Sequence, residues 1–310
     1  MKKFLRVVWI LFPLCGALHA QTPTDAVMMK QFESCFAVIY DQGTWDHYWE
    51  GDYLRTNGNV GTFSRKMILP MIAIGLHEKL NLIVSAPHIR TESKEGSGGY
   101  LQGASGMQDF GVSLKARVFE KSAGTAKVSL LTNVGYSTPM TDYLSDYVPY
   151  SLGFGASEWS LRGIGHFKML NGLYATAGLA HLWRGQTRIE RDYYYSNGSY
   201  YTDLMDVPDA WHFNAAAGIM LFDNSWKLEA NYVSTKCTSG DDIRKYNAGQ
   251  PTNKVEAGQV GFMTQYFFKN VKGLGVLAYY SKIISGRNMG QFSDLGLGVT
   301  YQFKFLNTTK

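Results

Sequence analysis

Beyond its first twenty residues, this 310-residue chain has no apolar run long enough to cross a bilayer as a helix, which takes roughly 18 or more consecutive apolar residues. The longest candidate, Met67 to Leu76, is short and holds Pro70, so a helical membrane protein is excluded. An excess of one charge is also missing. Without Lys2, Lys3 and Arg6 of the first segment, 27 of the 30 basic residues stand against 25 acidic ones. That balance gives no basis for nucleic acid as a partner. Proline is sparse, at 8 residues, and no stretch rich in Pro, Ser or Gly divides the chain into domains. No Walker loop, zinc-ligand spacing, calcium-loop spacing or dinucleotide fingerprint occurs, so neither a metal nor a cofactor is expected.

The N-terminus carries an export address. Lys2, Lys3 and Arg6 precede an apolar core from Val7 to Leu14, and the small residues Gly16, Ala17 and Ala20 follow. This is the layout of a signal peptide over residues 1–20, cut between Ala20 and Gln21. Cys15 invites a lipoprotein reading, but Phe12, Pro13 and Leu14 make a poor lipid-attachment sequence.

The 33 Gly, 20 Tyr, 17 Phe and 7 Trp favour insertion as strands, because aromatic residues supply the interfacial girdles of a membrane barrel. Short turns near Leu76–Lys79, Glu120–Gly124, Leu170–Gly172, Asp223–Ser225 and Phe268–Gly273 alternate with longer polar loops. Between them polarity alternates with a period of two. Leu295, Leu297, Val299, Tyr301, Phe303 and Phe305 oppose Gly296, Gly298, Thr300, Gln302 and Lys304. Phe110, Val112, Leu114 and Ala116 oppose Gly111, Ser113, Lys115 and Arg117. A soluble sandwich also alternates, but its strands are usually about 5–6 residues long. The expected fold is therefore all-β: a transmembrane antiparallel up-and-down barrel of twelve strands over residues 34–305, in the bacterial outer membrane and in contact with its lipids. It would follow a short periplasmic extension at 21–33, end in a tail at 306–310, and leave both termini in the periplasm.

The last strand, DLGLGVTYQFKF from Asp294 to Phe305, resembles the assembly signal of outer-membrane barrels, although Leu306 to Lys310 follow its terminal aromatic residue. The resemblance implies the barrel-assembly machinery as a partner during insertion. The segment GMQDFGVSLKARVF, Gly106 to Phe119, is similar to the Gly-x-x-Asp-x-Gly strand start of the family called MetA-pathway of phenol degradation. That likeness implies a channel or uptake barrel for small hydrophobic or aromatic solutes, and it carries over no catalytic residue. The rival function is a structural or adhesive surface barrel whose loops bind a partner. A barrel phospholipase would need His-x-Ser, and none of the six His beyond residue 20 has Ser two places on. An omptin-like protease would need more than the lone pair Asp46–His47.

Candidate lumen residues are Lys115, Arg117, Arg162, His166, Lys168, Lys227, Glu229, Glu256, Gln302 and Lys304. Either they fill a narrow barrel with ion pairs, or they line a pore with a weak anion preference. A loop with Tyr193, Tyr194, Tyr195, Tyr200 and Tyr201 is a candidate binding surface, since tyrosine combines apolar area with a polar tip. Pro70 and Pro87 fall inside neighbouring strands. Each lacks a ladder N–H and implies a bulge or break, either a plain kink or a weakened seam for an apolar solute. Cys35 and Cys237 map to opposite ends of distant strands, outside the ~7 Å reach of a disulfide. Thiol labelling of the mature chain under denaturing, non-reducing conditions is expected to count two thiols; a count of zero would establish a bridge.

Overall fold

A computed structural model describes residues 21–56, 61–95, 102–145, 148, 150–195, 198–242 and 253–306. The expected signal peptide at 1–20 and all but the first residue of the 306–310 tail lie outside these. Every regular element among the described residues is a strand.

Twelve strands form one closed antiparallel barrel. They are β1 (Glu33–Trp45), β2 (Phe63–His77), β3 (Leu80–Ser85 and His88–Ser93), β4 (Ser105–Met107 and Asp109–Ala123), β5 (Ala126–Pro139) and β6 (Glu158–Met169). The second half comprises β7 (Leu173–Arg184), β8 (Ala210–Leu221), β9 (Trp226–Cys237), β10 (Glu256–Phe267), β11 (Leu274–Arg287) and β12 (Ser293–Lys304). Each strand pairs with its sequence neighbours, and β1 pairs with both β2 and β12, from Glu33↔Lys304 to Thr44↔Ser293. Among the described residues the ring of twelve strands closes on itself. Closure is what a bilayer demands, because unpaired N–H and C=O groups find no partner in hydrocarbon.

The period-two pattern sorts the side chains as expected. Leu295, Leu297, Val299 and Tyr301 are exposed on the outer face of β12, whereas Asp294 and Thr300 are buried inside. On β4 the alternation runs from Phe110 to Arg117 and then breaks at a bulge between Arg117 and Phe119. The bulge turns Val118 and Phe119 outward together. An apolar outer belt on a closed barrel is the surface of a membrane-embedded protein, and such barrels are the outer-membrane class.

The two prolines behave differently. Pro70 keeps register with Val38 of β1 without a bulge. Pro87 falls in a two-residue gap, Ala86–Pro87, that splits β3. Across that gap the wall is held by Ala86 N–H to Pro70 C=O at 3.2 Å and Gln108 N–H to Pro87 C=O at 2.9 Å.

At the long-loop end, the small sheet of His47–Glu50, Tyr53–Thr56 and Met289–Gly290 extends the wall. Trp45 stacks on Phe63 beneath it at 5.2 Å, within a cluster that includes Trp49, Ile283 and Phe292. Cys35 and Cys237 are both free.

Residues 21–32 precede the barrel and fold into its lumen. Met29 is 2% exposed and packs against Cys35, Ala37, Met71, Ala73 and Ile83, the inward side chains of β1, β2 and β3. Gly75 makes this approach possible, since a Cβ there would lie 1.9 Å from the Lys30 carbonyl oxygen. Phe32, at φ 63°, turns the chain from the lumen into β1, and its N–H bonds the Gly75 carbonyl at 2.9 Å. A leucine at Gly75 is expected to expel the segment while leaving the barrel closed. Trypsin should then cut after Lys30 in a Gly75→Leu protein that still shows heat-modifiable gel migration; protection equal to wild type would refute the packing.

Candidate functional site in the barrel lumen

The lumen is organised around Lys115 of β4. Its side chain is fully buried, and its Nζ donates to the carbonyls of Thr22 and Asp25 at 2.6 and 3.0 Å and to Asp25 Oδ1 at 2.8 Å. Asp25 in turn accepts from the Thr22 N–H at 2.6 Å and the Val27 N–H at 2.8 Å. One carboxylate thus shapes the turn and docks it on the wall. Asn214 of β8 donates to the Thr24 carbonyl at 3.4 Å, and the Gln21 and Asn81 amides bond each other. The segment is tied to β3, β4 and β8.

The remaining candidates spread along the wall. Arg117 pairs with Glu120 at 3.0 Å. Arg162 donates to Asn214 at 2.6 Å and lies 3.1 Å from His212 Nδ1. His166 meets the Thr176 hydroxyl at 2.8 Å. Lys168 donates to Asn224 at 3.0 Å. Lys227 pairs with Glu229 at 2.8 Å, and Glu229 also accepts from Tyr174. Glu256 sits near the long loops between Lys236 and Arg287. Gln302 donates to Glu33 at 3.4 Å, while Lys304 is exposed at the end of β12. The candidates form several local networks and do not converge on one point.

Sequence reasoning missed a second centre. Arg65 of β2 bridges Asp41 of β1 and Asp294 of β12, at 3.3 and 3.1 Å, and Tyr279 of β11 donates to Asp41 at 2.7 Å. Each of these is inward by parity, so the alternation could have nominated them; only register brings them together. Asp25 offered no such signal, because it lies outside any periodic stretch.

Above the N-terminal segment, a cavity of about 140 Å³ runs along the inner wall of β3 to β6. Pro23 forms its floor, and Ser85, Ser113, Ser137 and Ser160 lie on its wall. At the long-loop end, Tyr143 donates to Asp109; its burial, reinforced by that carboxylate, pushes the hydroxyl well above the usual phenol range. In the tyrosine loop, Tyr194 stacks on Tyr200 at 5.0 Å and Tyr193 meets Tyr201 at 5.5 Å. Tyr194 is buried against Ile189 and Met205, whereas Tyr201 is largely exposed.

No protein-family model matches the chain, and no curated protein matches it. Solved structures do. The COG4313 outer membrane channel from Pseudomonas putida F1 is similar at a TM-score of 0.72 and 12% identity, over 92% of this chain and 100% of that one. NanC porin follows at 0.45 and 9% identity, over 85% and 98%. OprD of Pseudomonas aeruginosa gives 0.39 and 10% identity, over 93% and 99%. The chain has the fold of an outer-membrane β-barrel.

Replacing Lys115 with Met leaves the Asp25 charge without its partner inside the barrel. Losing one member of a buried pair costs about 3–5 kcal/mol. Hydrogen exchange over residues 21–29 should therefore accelerate at least a hundredfold in Lys115→Met. Unchanged protection would show that apolar packing of Met29 alone retains the segment.

Proposed function

We propose that this chain is an outer-membrane uptake channel for small apolar or aromatic compounds and is not an enzyme. The observation that carries this reading is a lumen filled by the chain's own N-terminal segment beside a wall that is split at Ala86–Pro87. A barrel built for free passage of hydrated solutes keeps its lumen open, as 16- to 18-stranded porins do. Here twelve strands enclose a packed interior, and the weakest backbone pairing lies where Pro70 and Pro87 each withhold an N–H. An apolar solute that enters from the long-loop end can leave sideways through that seam into the membrane. The long loops then face outward and both termini face the periplasm.

The similarity to a protein described as an outer membrane channel supports a transport role, and so does the short likeness to the phenol-degradation family. Asp46 and His47 are in contact at 2.7 Å, and the Thr56 hydroxyl lies 3.5 Å from His47 Nε2, at the outer limit of a hydrogen bond on the small sheet beyond the barrel. The adhesive alternative draws on the exposed Tyr201 hairpin.

Cells carrying the barrel in their outer membrane should take up a small aromatic solute faster than cells without it; equal uptake by a folded barrel would favour the adhesive role. Substituting Val at both Pro70 and Pro87 restores two ladder donors. It should slow uptake of an apolar solute severalfold without lowering the amount of assembled barrel. Equal uptake would eliminate the lateral route.

A further inference from the structure

We infer that the cavity above Pro23 is a binding site for one uncharged solute, the size of a six-membered ring and bearing a hydroxyl group. The inference rests on the uptake reading and assigns it a capture site.

Volume sets the size of the ligand. A cavity of about 150 Å³ takes up benzene when its walls are apolar, and the one here measures about 140 Å³. Two glycines create the space. A Cβ at Gly135 would lie 2.6 Å from Ser160 Oγ, and one at Gly111 would lie 2.9 Å from Ser85 Oγ.

The chemistry of the wall sets the class. Ile83 and Pro23 give it apolar surface. Asn133 is 2% exposed and uses its amide nitrogen on Ser113 at 3.1 Å. Its Oδ1 lies on the same inward face, 3.8 Å from where a Gly135 Cβ would stand. The hydroxyls of Ser85, Ser137 and Ser160 hold no side-chain partner among the described residues. A ligand hydroxyl can donate to the Asn133 carbonyl and accept from these serines, exchanging hydrogen bonds to water for hydrogen bonds to the wall. Full charges on the solute are disfavoured, because the nearest ionic groups already have partners: Lys115 is spent on Asp25 at 2.8 Å and Glu158 on Arg184 at 2.8 Å.

Position links the site to uptake. Ser85 and Gly111 are the last paired residues before the gap at Ala86–Pro87. A solute held here lies against the inner side of the seam, with the N-terminal segment blocking the way down.

The test is ligand-observed NMR titration of the purified, detergent-solubilised barrel with cyclohexanol, with cyclohexane and glycerol as comparison ligands and empty micelles as the blank. Saturable cyclohexanol binding is expected, with cyclohexane and glycerol each at least tenfold weaker. Gly135→Leu should abolish it, and Ser160→Ala should weaken it about fivefold, the worth of one hydrogen bond. Heat-modifiable migration of each variant shows that it has folded, and Ser85→Ala with Ser137→Ala serves if Gly135→Leu does not. Equal binding by wild type and the variants, or cyclohexane binding as tightly as cyclohexanol, overturns the proposal. If saturable binding is absent while apolar uptake through the Pro70 and Pro87 seam persists, the capture site falls and the channel stands. If binding is present but uptake is absent, the site stands and the channel falls.

Discussion

Everything in this structure depends on the pairing of the first strand with the last. Glu33–Thr44 lies in continuous register with Lys304–Ser293, and that ladder removes the sheet edges. In hydrocarbon an unpaired backbone group has no solvent to turn to. Once the ring is closed, side-chain parity decides everything else. Apolar residues go to lipid, polar ones go inside, and the interior must then satisfy them. The ion pairs of Lys115, Arg65 and Lys227 and the Arg162–Asn214 hydrogen bond are how the interior meets that demand.

The N-terminal segment solves the same problem from the other direction. Inward residues of a twelve-stranded barrel do not meet across the lumen, so a filler is required if no water column is to remain. Residues 21–32 provide one, with Asp25 and three backbone carbonyls offered to the wall and Met29 offered to an apolar patch. Its contacts reach β1 to β4 and β8, while the wall of β3 to β6 above it stays lined by Ser and Gly. The interior is therefore asymmetric: packed on one side and hollow on the other.

The barrel was legible in the sequence because its signal is local. In the last strand, Leu295 to Phe305 alternates without a break, and each short turn carries its own punctuation. The contents of the barrel were not legible, for a physical reason. Asp25 sits in a stretch with no period, and its partner Lys115 is ninety residues away. Asp41, Arg65, Tyr279 and Asp294 each show inward parity but are joined only by closure. Proline chemistry was half legible. Missing donors at Pro70 and Pro87 were evident, but that Pro70 would keep its register and Pro87 would split β3 depends on what lies opposite: Val38 for one, the bend at Gln108 for the other.

The turn at Phe32 ties the filling of the barrel to its closure. The segment hangs from the strand that closes the ring, and the Phe32 carbonyl accepts from Phe305 N–H at 3.1 Å, beyond the end of β12. Strands from the two ends of the chain can meet only late, because the loop between them spans nearly the whole sequence. Once they have met, the lumen can be entered only through its two ends. Residues 21–32 are tethered at the end where β1 begins, so the ladder that closes the ring also fixes the end from which its filling is held.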